Sequence, residues 1–167
     1  MSHESTPRLA LPLLQAGQAQ KELDHNEALA LLDIATMPVV ESVGLDIPPS
    51  DPAPGQCWAT GATPTGAWAG HAYSLAGWTD GGWRFVVADE GTAAWSRADG
   101  VSVAFRAGDW LVGVLDGRSV VIDGEAVVGP RRPPINGPAG GATIDVECRA
   151  AVAAILDALQ HHGLIAI

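Results

Sequence analysis

Between residues 55 and 129 the chain is interrupted by turn signals at short intervals, and this feature narrows the choice of fold more than any other. Thr79-Asp80-Gly81-Gly82, Ala107-Gly108-Asp109, Asp116-Gly117 and Asp123-Gly124 carry the Asp and Gly residues that tight hairpins demand. The runs between them alternate in apolar character. Trp83, Phe85 and Val87 share one face of an extended run, and Val101, Val103 and Phe105 share one face of another. The pattern predicts an antiparallel meander of short strands, roughly four to six residues each. Trp78 and Trp83 stand symmetrically about the first turn and are expected to face each other across it.

Helical patterns flank this region. Asp24 followed by Glu27 reads as a capping box, which starts a helix at His25 that must end before Pro38. Leu29 and Leu32 lie on one side of that helix and Leu31 and Ile34 on another. It is therefore apolar most of the way round and calls for cover from a neighbouring subunit. At the other end, Asp145 caps a helix that stops near Gly163 in an αL C-cap. Val152, Ile155, Leu156 and Leu159 form its stripe, with Cys148 a turn earlier and Ala-rich flanks that permit close helix approach. That seam can dock on the β region or meet copies of itself. Leu29, Leu31, Leu32, Ile34, Val152, Ile155, Leu156 and Leu159 are the candidate oligomer interface.

The predicted fold class is mainly β, with one N-terminal and one C-terminal helix. Proline sets the expected boundaries: a segment 1–47 for attachment and oligomerisation, a Pro-rich linker 48–54, a Trp-rich β domain 55–129, a Pro/Gly linker 130–142, and the C-terminal helix and tail 143–167.

Charge limits the partners. Nine Lys and Arg against 19 Asp and Glu give a formal net charge of -10, and Lys21 is the only lysine. A nucleic-acid surface needs a basic patch, so nucleic acid is not an expected partner. No apolar run reaches the roughly 20 residues of a membrane span. The first fourteen residues lack a signal-peptide pattern, so the expectation is a protein made in the cytoplasm without a signal peptide. Cys57 and Cys148 show no metal or redox spacing and read as two buried thiols.

No catalytic constellation emerges. Asp80, Asp109, Asp116 and Asp123 sit in turn contexts, where Asp serves local backbone amides. His161 and His162 point about 100° apart on a helix and do not chelate one ion; they read as a solvated end beside the C-terminal dipole. No phosphate loop and no nucleophile elbow is present, so no enzyme, metal site or cofactor is expected. The six tryptophans, all between residues 58 and 110, have two readings. They fill the core of a small meander, as expected for Trp83 and Trp110, or they stack on sugar rings. Trp68, between glycines, is the expected solvent-facing ring, and Trp68, His71, Trp78 and Trp95 are the candidate glycan-binding residues.

The stretch Leu11-Pro12-Leu13-Leu14-Gln15-Ala16-Gly17-Gln18-Ala19-Gln20-Lys21-Glu22, with His25-Asn26-Glu27-Ala28-Leu29 after it, resembles the signature of an uncharacterised family found in prophages and gene transfer agents of alphaproteobacteria. Gly61-Ala62-Thr63, Gly66-Ala67-Trp68-Ala69-Gly70-His71 and Gly81-Gly82-Trp83-Arg84-Phe85 are also similar to it, so the likeness covers about residues 9–110. The resemblance implies a non-catalytic subunit of a phage-like particle, a tail-fibre or head-spike component. The shortness of this chain resembles that of a gene transfer agent head spike base. Implied partners are copies of itself in a trimer or pentamer, a capsid vertex, a spike fibre protein and the capsular polysaccharide of the host, with the surface of the particle as location.

Overall fold

The structure is a computed structural model that describes residues 4–15, 17, 21–142 and 145–167. It divides into two bodies, Met1–Val114 and Leu115–Ile167. The expected boundary at residues 48–54 therefore falls inside the first body, and the N-terminal segment is part of it. The reason is visible in the pairing below: residues on both sides of the prolines join the same sheets.

In the first body, α1 (Lys21–Ala35) precedes β1 (Val39–Val40), β2 (Val43–Leu45), β3 (Cys57–Thr60) and β4 (Ser74–Thr79). After them come β5 (Gly82–Val87), β6 (Ala93–Ser96), β7 (Val101–Arg106) and β8 (Asp109–Val112). The strands form two four-stranded sheets, ordered β1-β6-β7-β8 and β2-β3-β4-β5. The fold is mainly β and dominated by antiparallel pairs. Two hairpins of this body are those the turns predict: Trp78 lies opposite Trp83 across Asp80-Gly81, and Arg106 lies opposite Asp109 across Ala107-Gly108. The hairpin of β6 and β7, closed over residues 97–100, is one the turn signals did not mark, and Asp116-Gly117 closes none among the described residues. Ala107 and Gly108 both have positive φ (51° and 82°), as a type I′ turn requires to match strand twist. Two parallel pairs depart from the expected meander. β1 runs parallel to β6 and β2 parallel to β3, so the N-terminal segment adds an outer strand to each sheet.

One core spans both sheets. Ile34, Val40, Cys57, Leu75, Val103 and Trp110 are buried together, and the Trp110 indole N–H donates to the Thr60 carbonyl at 3.0 Å. Each fully buried aliphatic side chain contributes about 1.5–3 kcal/mol. Ile34 reaches this core because Gly77 of β4 has no side chain: a Cβ there would lie 2.5 Å from the Ile34 side chain.

α1 begins one turn before the expected His25. Asp24 therefore lies within the helix, and Glu27 pairs with Arg84 of β5 at 2.7 Å instead of closing a capping box. Cover from a neighbour is also less necessary than the sequence implied. The chain itself buries Ile34 and partly buries Leu29 and Leu31, which leaves Leu23 and Leu32 as the exposed leucines of the helix.

The second body holds β9 (Val120–Ile122), β10 (Glu125–Val128) and α2 (Val146–His161). β9 and β10 pair across Asp123 and Gly124, both at positive φ (50° and 84°). The Asp145 carboxylate accepts from the Cys148 N–H at 2.8 Å as N-cap, and Gly163 follows the C-cap residue with φ of 72°, both as the sequence predicts. Residues near the C-terminus return to pair with the proline tract, where the Arg132 N–H donates to Leu164 and the Ala166 N–H to Arg132. Among the described residues, no helix is long and apolar enough to cross a membrane.

Candidate functional site

The aromatic residues fall into groups, not one platform. Trp58, Trp68 and Trp83 interlock with ring centroids 5.2–6.2 Å apart, and Trp78 adds its edge to Trp83 at 5.0 Å. This is the tilted and edge-on packing that indole quadrupoles favour. Trp68, the ring expected to face solvent, is 0 % exposed. Its flanking glycines serve backbone geometry: Gly66 and Gly70 take φ of 58° and 85° around a short 3-10 turn, which folds the indole inward. Its N–H is buried with no hydrogen-bond acceptor. Trp110 is core as expected, and Trp83 is partly buried within the second cluster.

The remaining glycan candidates separate. The imidazole of His71 lies flat on Phe85 at 3.6 Å, which occupies one of its faces. Trp78 is partly buried against Trp83. Trp95 sits on β6 in the other sheet, 47 % exposed, beside a shallow hollow of about 330 Å³ lined by Met37, Pro38, Val39, Ala93 and Ser102. Of the four glycan candidates, Trp95 is the most exposed tryptophan.

Residues 4–14 form a strap along α1; of the stretch that carries the resemblance, residues 11–14 belong to this strap, residues 21–29 belong to α1, and Ala16 and residues 18–20 lie outside the described residues. The side-chain amide of Asn26 pairs with both backbone groups of Leu14, accepting from its N–H at 2.9 Å and donating to its carbonyl at 3.0 Å. Asp33, buried in α1, accepts from the Thr6 hydroxyl (2.8 Å) and from the backbone N–H groups of Arg8 (3.1 Å) and Leu9 (2.7 Å). The Arg8 guanidinium in turn caps the end of α1, donating to the carbonyls of Asp33, Ile34 and Met37. Cations are favourable at that pole of the helix dipole. The sequence reading missed Asp33 and Arg8. The available signal was a lone carboxylate inside an otherwise apolar helical run. Gly61-Ala62-Thr63 has a similar explanation: Gly61 lies against the Gly44 carbonyl, and Asp46 holds the N–H and hydroxyl of Thr63 at 2.9 and 2.8 Å.

One of the two thiols departs from the expectation that both are buried. Cys57 is buried and Cys148 exposed. Burial pushes the Cys57 thiol from 9.0 up to about 12, against smaller lowering influences from Arg8 and the Trp58 N–H. Among the described residues no group of three or more His, Cys, Asp or Glu gathers at metal-binding distance. The carboxylates of Asp80, Asp109 and Asp123 stand at or beside hairpin turns, and His161 and His162 close α2 at an exposed end.

In α2, Val152, Leu156 and Leu159 are half-buried, Ile155 is 59 % exposed, and no residue is buried. The interface candidates thus divide: Ile34 belongs to the internal core, Leu29 and Leu31 are partly covered, and Leu32 and the α2 stripe remain open.

A strapped helix on two short-stranded sheets, with a cluster of interlocked indoles apart from the main core, defines a small mainly β module. Residues 25–111 match the family described as Protein of unknown function (DUF2793), and the chain belongs to that family. The match runs from α1 through β8 and leaves the second body outside it. No curated protein matches the chain.

Proposed function

We propose that this chain is a non-catalytic structural subunit of a phage-like particle, a head-spike base or adaptor that helps the particle attach to its host. The carrying observation is the second body, whose apolar residues stand exposed on a hairpin and on a helix that buries none of its side chains. An accumulation of exposed apolar side chains within one small body is the kind of surface that a protein–protein contact covers. The resemblance of residues 9–110 to prophage and gene-transfer-agent proteins supplies the setting, and a net charge of -10 suits a component working beside packaged DNA. Among the described residues the one buried carboxylate, Asp33, is engaged in holding the first body together, with three donors on it. Imaging particles made with and without this gene product tests the reading. Loss of one appendage supports it; unchanged particles that never contain the chain reject it.

Trp95 supports a second reading, a carbohydrate contact for capsular polysaccharide. A half-exposed indole beside a shallow apolar hollow is suited to stack on a sugar ring. Glycan-array binding that Trp95→Ala abolishes is the expected result for that reading. Binding indifferent to Trp95 removes it.

A further inference from the structure

The second body has too little core to stand alone. Among its described apolar residues only Ile165 is buried. Val120, Val121, Ile122 and Val127 are all 52–57 % exposed, and in α2 Val146 and Ile155 are 66 % and 59 % exposed. A lone two-stranded hairpin is marginal in water. Most helices also depend on a packed apolar face, and that of α2 is only half-buried, at Val152, Leu156 and Leu159.

Both faces of the hairpin are apolar. Side chains alternate along a strand, so Val120 and Ile122 point to one side and Val121 to the other. Val128 opposite Val120 and Ala126 opposite Val121 extend the two faces, and Glu125 opposite Ile122 is the one charged residue among the paired positions. A strand exposed on one side normally carries polar residues there. This hairpin needs cover twice.

We propose that residues 115–167 are a self-association module through which three or more copies of this chain pack into a closed ring. In a ring with head-to-tail contacts each hairpin lies between two neighbours and receives one apolar face from each, whereas a two-fold dimer covers one patch once. Charge favours a second copy over a foreign partner. Residues 1–114 hold 13 acidic and 5 basic residues, net -8, whereas residues 115–167 hold 6 and 4, net -2. The nearly neutral module carries no field to select a charged ligand, and like modules meet with little repulsion. The inference deepens the assembly reading above by assigning assembly to one part of the chain.

Sedimentation velocity on the purified full chain tests it, with Val121→Asp, Ile155→Asp and, as control in α1, Leu32→Asp. The expected wild-type species is a trimer or larger. Each module variant should weaken it by roughly tenfold or more, while Leu32→Asp leaves it intact. Every aromatic residue lies between 58 and 110, so near-ultraviolet circular dichroism reports the first body alone and should be unchanged in all variants. A monomeric or strictly dimeric wild type overturns the ring. A ring untouched by both module variants, or lost only with Leu32→Asp, overturns the assignment to residues 115–167 while leaving assembly itself standing. Particle imaging judges the particle reading separately.

Discussion

At the scale of single residues, the first body depends on a few close approaches. Ile34 enters the core only because Gly77 has no Cβ, and a methyl group there would sit 2.5 Å from two Ile34 carbons. Gly77→Ala is expected to cost about 1–3 kcal/mol, the usual range for overpacking, in urea unfolding followed by tryptophan fluorescence. In an Ile34→Ala background the added cost should shrink, because the clashing atoms are gone; strict additivity would show that the two residues are not in contact. Cys57 makes a second prediction. Its thiol pKa is about 12 in the folded chain against 9.0 ordinarily, so below pH 9 the proton is bound in both states and stability does not change with pH through this group. Above pH 9 the unfolded chain releases the proton first, and stability falls as pH rises toward 12. Wild type should therefore lose more stability than Cys57→Ala across that window. At pH 8 a thiol reagent should modify exposed Cys148 rapidly and Cys57 only on unfolding.

At the scale of elements, the strap of residues 4–14 and α1 form one unit through Asp33. Asp33→Ala removes the acceptor of three donors, two of them backbone N–H groups. It should cost about 3 kcal/mol, and protease should then clip the N-terminal segment well before the sheets, as mass spectrometry of the fragments would reveal. Thr6→Val removes one donor and should cost about 1 kcal/mol. The elements also show what a sequence discloses. The hairpins β4–β5, β7–β8 and β9–β10 were legible because their turns need left-handed or flexible residues at fixed places, and Asp145 and Gly163 marked α2 for the same local reason. The strands β1 and β2 were not legible. Two or three residues carry no periodicity, and their parallel partners lie 15 to 56 residues away in the chain. Trp68 was misjudged for a related cause. Glycine neighbours announce a backbone bend but not which side of it faces the core, and that side is set by Trp58 and Trp83.

At the scale of the whole molecule, the charge is unevenly spread: net -8 on residues 1–114 and -2 on residues 115–167. A ring held by the second body tethers several strongly acidic first bodies close together, and their mutual repulsion opposes assembly. Exposed charges are screened beyond the Debye length, which shortens from about 30 Å at 0.01 M ionic strength to about 8 Å at 0.15 M. The apolar contact between modules is not weakened by this change. Association should therefore tighten as sodium chloride rises over that range, a trend opposite to that of an interface made of ion pairs. Sedimentation at several protein concentrations in each salt would give the dissociation constants directly. Weaker association in salt would mean that Arg118, Arg131, Arg132 or Arg149 of one copy holds carboxylates of another. Neutralising the repulsion by mutation gives the complementary measurement. Replacing exposed Asp89 and Glu90 of the first body by Asn and Gln should strengthen assembly at low salt and change little at high salt. If both treatments act in the same direction and are not additive, screening and charge removal relieve one and the same repulsion between the first bodies.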